Sequence, residues 1–157
     1  MTIFKEAQAT HMKSPLLPAL LLPLLAGCYT PYQVASTNTN QCVHVPWDGS
    51  PILPGTPVTL AQCFGRTDNQ EWTLKNGQIA GVAGLCLDVQ GQAGIDGAPV
   101  IAVPCNGSPG QHWSVTHGEV IGVGGKCLDV PGGEITETAP LILATCSGTS
   151  SQRWSLR

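Results

Sequence analysis

Two carboxylates stand at matching places in a repeated tetrapeptide, Cys86-Leu87-Asp88-Val89 and Cys127-Leu128-Asp129-Val130. A carboxylate accepts hydrogen bonds at both oxygens. The donors are either local backbone N–H groups, which it ties into a turn, or groups of a ligand. Both readings stay open at this point. Catalysis has no comparable signal. His11, His44, His112 and His117 stand beside no nucleophile pair, no Ser-His-Asp set is legible, and no glycine run matches a phosphate cradle. Glu134 and Glu137 fall in one loop and read as solvated. Zinc is not indicated, because the chain has neither closely spaced cysteine pairs nor a His-x₃-His spacing. The expectation is a non-enzyme that needs no cofactor and no metal.

The elements that hold these carboxylates must recur with them. Gln70-Glu71-Trp72, Gln111-His112-Trp113 and Gln152-Arg153-Trp154 place three tryptophans 41 residues apart. The Asp-bearing tetrapeptide has a degraded first copy, Cys42-Val43-His44-Val45. Gly55–Cys63, Gly97–Cys105 and Thr138–Cys146 form a third matching set. Such self-similarity means one small unit used three times, each copy unable to bury its apolar face alone. In the second copy the turn residues mark off strands at Gln78–Val82, Leu85–Val89, Pro99–Val103 and Gln111–Val115. Three copies give about twelve short strands. Alternation puts Val58, Leu60, Val100, Ala102, Leu141 and Leu143 on the core face. Ile101, Val103, Ile142 and Ala144 then face outward, where they need cover from loops 90–98 and 131–139 or form a patch for a partner.

Trp72, Trp113 and Trp154 read as structural core. Gln70, Gln111 and Gln152 read as bonding the neighbouring backbone or the aspartates, with ligand contact as the second reading. Trp47 lies outside the repeat register, in Pro46-Trp47-Asp48-Gly49. It either packs on the rim or offers an aromatic surface to a ligand.

Seven cysteines in 157 residues point to an oxidising compartment. Each repeat holds one pair: Cys42 with Cys63, Cys86 with Cys105, Cys127 with Cys146. Six cysteines allow 15 pairings, and the repeat logic selects the one in which every unit closes on itself. Glycine and proline number 19 and 13 and charged residues make up 11%, which favours short strands and turns over amphipathic helices. A net charge of −3 offers no basic surface for nucleic acid.

The N-terminus reads as an address. Pro15 to Gly27 is apolar and follows Lys13. It is shorter than the ~20 residues a bilayer span needs and matches a secretory signal. Met12 is the more natural start, which makes residues 1–11 a mis-called extension. Leu25-Ala26-Gly27-Cys28 resembles the bacterial lipobox, whose cysteine is lipidated and becomes the new N-terminus. Cys28 is also the odd cysteine once the repeats have taken six. The expected organisation is a signal peptide at 1–27, a lipidated tether at 28–36 and a domain at 37–157, with repeats near 37–75, 76–116 and 117–157. Val34 is the earliest candidate for a first strand.

The three Gln-x-Trp motifs, the two Cys-Leu-Asp-Val motifs and the cysteine pair within each repeat resemble the ricin B-type lectins. The resemblance runs from about Gln33 to Arg157. It implies an all-β fold, the β-trefoil: a six-stranded barrel capped by three hairpins. A three-bladed propeller of the same period could not close. It also implies a sugar site in each repeat, built from four parts: the aspartate of Cys-x-Asp, a polar residue four before the second cysteine, an aromatic two before it, and an Asn or similar beside the glutamine of Gln-x-Trp. The carboxylate binds paired hydroxyls while the flat C–H face of the sugar packs on the ring.

No repeat has all four parts. The first has His44, Thr59, Ala61 and Asn69-Gln70. The second has Asp88, Ile101, Val103 and Gly110-Gln111. The third has Asp129, Ile142, Ala144 and Ser151-Gln152. The expected ligand is a galactose-type sugar or polysaccharide, bound weakly through Asp88, Gln111, Asp129, Gln152, Asn69, Gln70 and Trp47. The expected setting is a monomer anchored by lipid in a bacterial envelope, at the outer membrane or cell surface. The competing reading is a degenerate scaffold with a protein partner and no sugar.

Overall fold

A computed structural model describes residues 30–65 and 67–157; the signal segment and Cys28 lie outside the described residues. The strands follow the repeats. The first repeat holds β1 (Val34–Ser36), β2 (Gln41–His44), β3 (Thr56–Pro57), β4 (Thr59–Gln62) and β5 (Thr73–Lys75). The second holds β6 (Gln78–Ala80), β7 (Leu85–Val89), β8 (Val100–Pro104) and β9 (Ser114–Thr116). The third holds β10 (Glu119–Ile121), β11 (Cys127–Asp129), β12 (Ile142–Ala144) and β13 (Trp154–Leu156). With β3 and β4 counted as one strand broken at Val58, each repeat has four. All described sheet pairings are antiparallel.

Consecutive repeats join through tight hairpins. Asn76-Gly77 links β5 to β6, and His117-Gly118 links β9 to β10. Both residues of each turn have positive φ, at 53° and 77° and at 49° and 78°. That conformation matches the twist of the flanking strands, which is why Asn-Gly serves so well there. The third equivalent position is where the chain ends meet. Strand β1 pairs with β13, and Gln33 and Arg157 exchange backbone hydrogen bonds of 2.7 and 3.1 Å. The first strand is therefore part of the fold and fully buried, so the domain begins before the expected boundary at residue 37.

The barrel interior shows why the alternation is so strict. Val58, Leu60, Val100, Ala102, Leu141 and Leu143 are all buried. Val58 N–H donates to Val100 O, Val100 N–H to Leu141 O, and Leu141 N–H to Val58 O, at 2.9–3.1 Å. This cyclic set joins the three repeats where none could satisfy its own backbone. Equivalent donors at Gly55, Gly97 and Thr138 bond Ala102, Leu143 and Leu60. All three have positive φ (92°, 84° and 66°), and Thr138 alone carries a side chain there. The disulfides are Cys42–Cys63, Cys86–Cys105 and Cys127–Cys146, one per repeat.

Candidate functional site

Each Gln-x-Trp motif anchors its repeat from below the surface. Trp72, Trp113 and Trp154 are 1%, 4% and 3% exposed. Their indole N–H groups donate to Val43 O, Leu87 O and Leu128 O at 3.0, 2.9 and 3.1 Å. Each bond fastens the ring to the strand that carries the Asp or His position. The glutamines are buried as well. Gln111 Nε2 donates to Pro104 O, and its Oε1 accepts from Asn106 N–H, Gly107 N–H and Gln78 Nε2. Gln152 and Gln70 do the same work on Thr145 O and Gln62 O. Gln70, Gln111 and Gln152 thus follow the first of their two readings, bonding the neighbouring backbone and, for Gln152, Asp129, and they pin the loop after the second cysteine. They sit in short 3₁₀ turns, so the strand expected over Gln111–Val115 begins only at Ser114.

A surface cleft lies over the Asp or His position of every repeat. In the second repeat it is about 400 Å³ and is lined by Asp88, Gln90, Gln92, Ile101, Val103 and Asn106. In the third it is about 480 Å³ and includes Asp129, Pro131, Ile142, Ala144 and Ser151. Ile101, Val103, Ile142 and Ala144 are half-buried, because the turns Gln90–Gln92 and Pro131–Gly133 stand opposite them as a second wall.

The two carboxylates are not equivalent. Asp129 Oδ1 accepts Val130 N–H at 2.7 Å, and its Oδ2 accepts Gln152 Nε2 at 2.8 Å. Asp129 therefore braces the turn, and it also lines the cleft. Asp88 is 5% exposed, and its Oδ2 accepts Ser108 Oγ at 3.1 Å. The residue beside the glutamine explains its burial. A Cβ added to Gly110 would collide with Asp88 Oδ1 and lie 2.9 Å from Val89 O. The carboxylate occupies the room that the family's Asn would need, so the missing polar group and the sunken aspartate are one structural fact.

In the first repeat Asn69 Nδ2 lies 2.9 Å from His44 Nε2. An amide nitrogen only donates, so Nε2 accepts and the ring proton sits on Nδ1, facing Thr59 Oγ1 at 3.5 Å. Burial pushes the imidazole below its usual pKa, with the charge of Glu137 opposing. His44 is therefore neutral near pH 7. Asn69 supports His44 and does not line the cleft. The cleft itself is about 530 Å³ and contains His44, Trp47, Asp48, Ile52, Leu53 and Thr56. The sequence singled out Trp47 but left its setting open. It is 57% exposed, and Leu53 beside it is 70% exposed.

The fold is a threefold β-trefoil with one surface cleft per repeat. The chain belongs to the ricin-type beta-trefoil lectin domain family, whose profile matches residues 30–154. Solved structures of similar fold include a designed threefold-symmetric protein, ThreeFoil (27% identity, TM-score 0.68, 80% of this chain and 96% of that one). The agglutinin of Abrus precatorius is 22% identical over 82% of this chain and 48% of its own, with a TM-score of 0.69. The C-terminal half of an earthworm R-type lectin, solved with GalNAc, is 14% identical over 81% of this chain and 97% of its own, with a TM-score of 0.68. The chain thus spans about half of the Abrus protein and nearly all of the other two. No curated protein sequence matches the chain.

Proposed function

We propose that the domain is a carbohydrate-binding module whose family-type sites are weak, carried on a lipid-anchored envelope protein. One observation supports this above the rest: each repeat keeps a cleft at the same place, yet Ala61, Val103 and Ala144 stand where a stacking ring belongs. A carboxylate alone competes with water for sugar hydroxyls, so its net gain is small. The ring supplies the apolar burial that water cannot match. Binding at the second and third clefts is therefore expected at about millimolar strength, roughly −4 kcal/mol. Galactose-type sugars or polysaccharides are the ligands this reading favours. The earthworm protein was solved with GalNAc, and a bitter-gourd protein of similar fold with α-methyl-D-galactoside.

The test is a calorimetric titration of the folded domain with such sugars. Val103→Trp should tighten binding at the second cleft by about tenfold, the effect of one well-stacked ring. Asp88→Ala should abolish that gain. If neither change moves the affinity, the family-type site has been abandoned. The reading as a protein-binding scaffold then becomes the better one, consistent with an Asp129 whose two oxygens are already bonded internally.

The anchor is the second part of the proposal. It rests on Leu25-Ala26-Gly27-Cys28 and on six of the seven cysteines being paired in the fold. A single acyl chain gives only marginal membrane binding, whereas the several chains of a lipoprotein hold firmly. Cys28→Ser should abolish lipid attachment, block the processing that depends on it and change the membrane fractionation. Unchanged fractionation and processing would remove the anchor from the account.

A further inference from the structure

The first repeat differs from the others at one place. Its cysteines are 21 residues apart, against 19 in each of the other two. The extra length lies between His44 and Gly55, where the matching stretches Asp88 to Gly97 and Asp129 to Thr138 are two residues shorter. The short 3₁₀ turn of the other repeats, Gln90–Gln92 and Pro131–Gly133, has no equivalent there. Trp47 stands on this enlarged loop. A tryptophan with more than half its surface exposed is unusual unless something covers it.

The loop holds the ring in place before any ligand arrives. Trp47 Nε1 donates to Ser50 O at 2.6 Å, and Ser50 N–H donates to Asp48 Oδ1 at 2.9 Å. Thr56 N–H and Oγ1 both donate to Leu53 O, closing the far end of the loop. One short segment thus fixes an aromatic face and a carboxylate side by side. Ordering costs are already met in the free protein, which favours binding. The cleft they border, about 530 Å³, falls within the range of about 300–1,000 Å³ usual for small-molecule sites.

We propose that this cleft is the principal saccharide site of the protein, with Trp47 as the stacking ring and Asp48 as the hydroxyl acceptor, both supplied from the loop and not from the strand position that holds Ala61. The proposal rests on the carbohydrate-binding reading above and names the place and the ligand class. The ligand is a neutral pyranose. Asp48 lines the cleft and Glu137 acts on its histidine, while no lysine or arginine lines it among the described residues. Acidic sugars would meet uncompensated negative charge there, whereas neutral hydroxyls donate to it.

The test uses the exported, oxidised chain and its own fluorescence. Trp47 is the exposed indole, and the other three are shielded, so sugar-dependent emission and acrylamide quenching report on this cleft. Lactose and methyl galactoside serve as neutral probes and galacturonate as the anionic one, with calorimetry in parallel. The proposal expects saturable protection of Trp47 by the neutral probes, and binding weaker by about tenfold or more in Trp47→Ala. Trp47→Phe should restore most of it, and Asp48→Asn, which keeps the turn with Ser50, should still weaken it. Galacturonate should bind less well than either neutral probe. Calorimetric binding that leaves the emission unchanged and survives Trp47→Ala would overturn this assignment while leaving the carbohydrate-binding reading standing on the other clefts. Absence of binding by every probe would overturn both.

Discussion

Replacing Trp113 by alanine should lower the unfolding free energy by about 3–5 kcal/mol, enough to consume much of the stability of a small domain. The ring is buried at the join between the second repeat and the turn at Gly122, where a Cβ would lie 2.7 Å from it. Truncation opens a cavity that a glycine-walled site cannot collapse to fill. It also leaves Leu87 O without the indole donor that now reaches it at 2.9 Å. Because Leu87 is next to Asp88, the same change should loosen the second cleft. Urea denaturation of the oxidised domain reads the effect. A loss below about 1 kcal/mol would mean that the ring is not structural.

The second large effect belongs to the disulfides. Removing Cys86–Cys105 as the double alanine variant frees a 19-residue separation, which in the chain-entropy treatment is worth about 3 kcal/mol. The bridge links β7 to the end of β8, the pair between which Asp88 and Val103 face the cleft. The variant should therefore melt earlier and, if folded, bind sugar less well at that site. Equal midpoints for the oxidised wild type and the variant would show that the sheet alone carries the repeat. Mass mapping of non-reduced peptides should return the three bridges within repeats and none between them.

Much of the architecture was legible because threefold symmetry makes the sequence state each feature more than once. Three Gln-x-Trp motifs fixed the period, and the alternation at Val58–Leu60, Val100–Ala102 and Leu141–Leu143 identified the barrel interior that the structure buries. What was illegible lay where one copy stands alone. Val34 was legible only as a candidate strand start inside a stretch that otherwise reads as a tether, because the partner of Val34–Ser36, Trp154–Leu156, lies at the other end of the chain. The role of the glutamines was legible in kind, as bonding to neighbouring backbone, but the particular carbonyls they reach, Gln62 O, Pro104 O and Thr145 O, needed coordinates. The sunken position of Asp88 depends on Gly110, a contact that the sequence alone does not reveal. The two-residue expansion around Trp47 was visible in the cysteine spacing, although its consequence, an exposed ring beside a carboxylate, needed coordinates.

The central claim is that the clefts of this trefoil bind sugar. The most direct measurement is a ¹⁵N-labelled NMR titration of residues 30–157 with methyl galactoside and lactose. The account predicts fast-exchange shifts that saturate at millimolar concentrations and cluster on Trp47–Ile52, on Gly91 with Val103, and on Gly132 with Ala144, the first group responding most strongly. A spectrum unmoved by either sugar at many times that concentration would contradict it, as would shifts confined to the surface away from all three clefts.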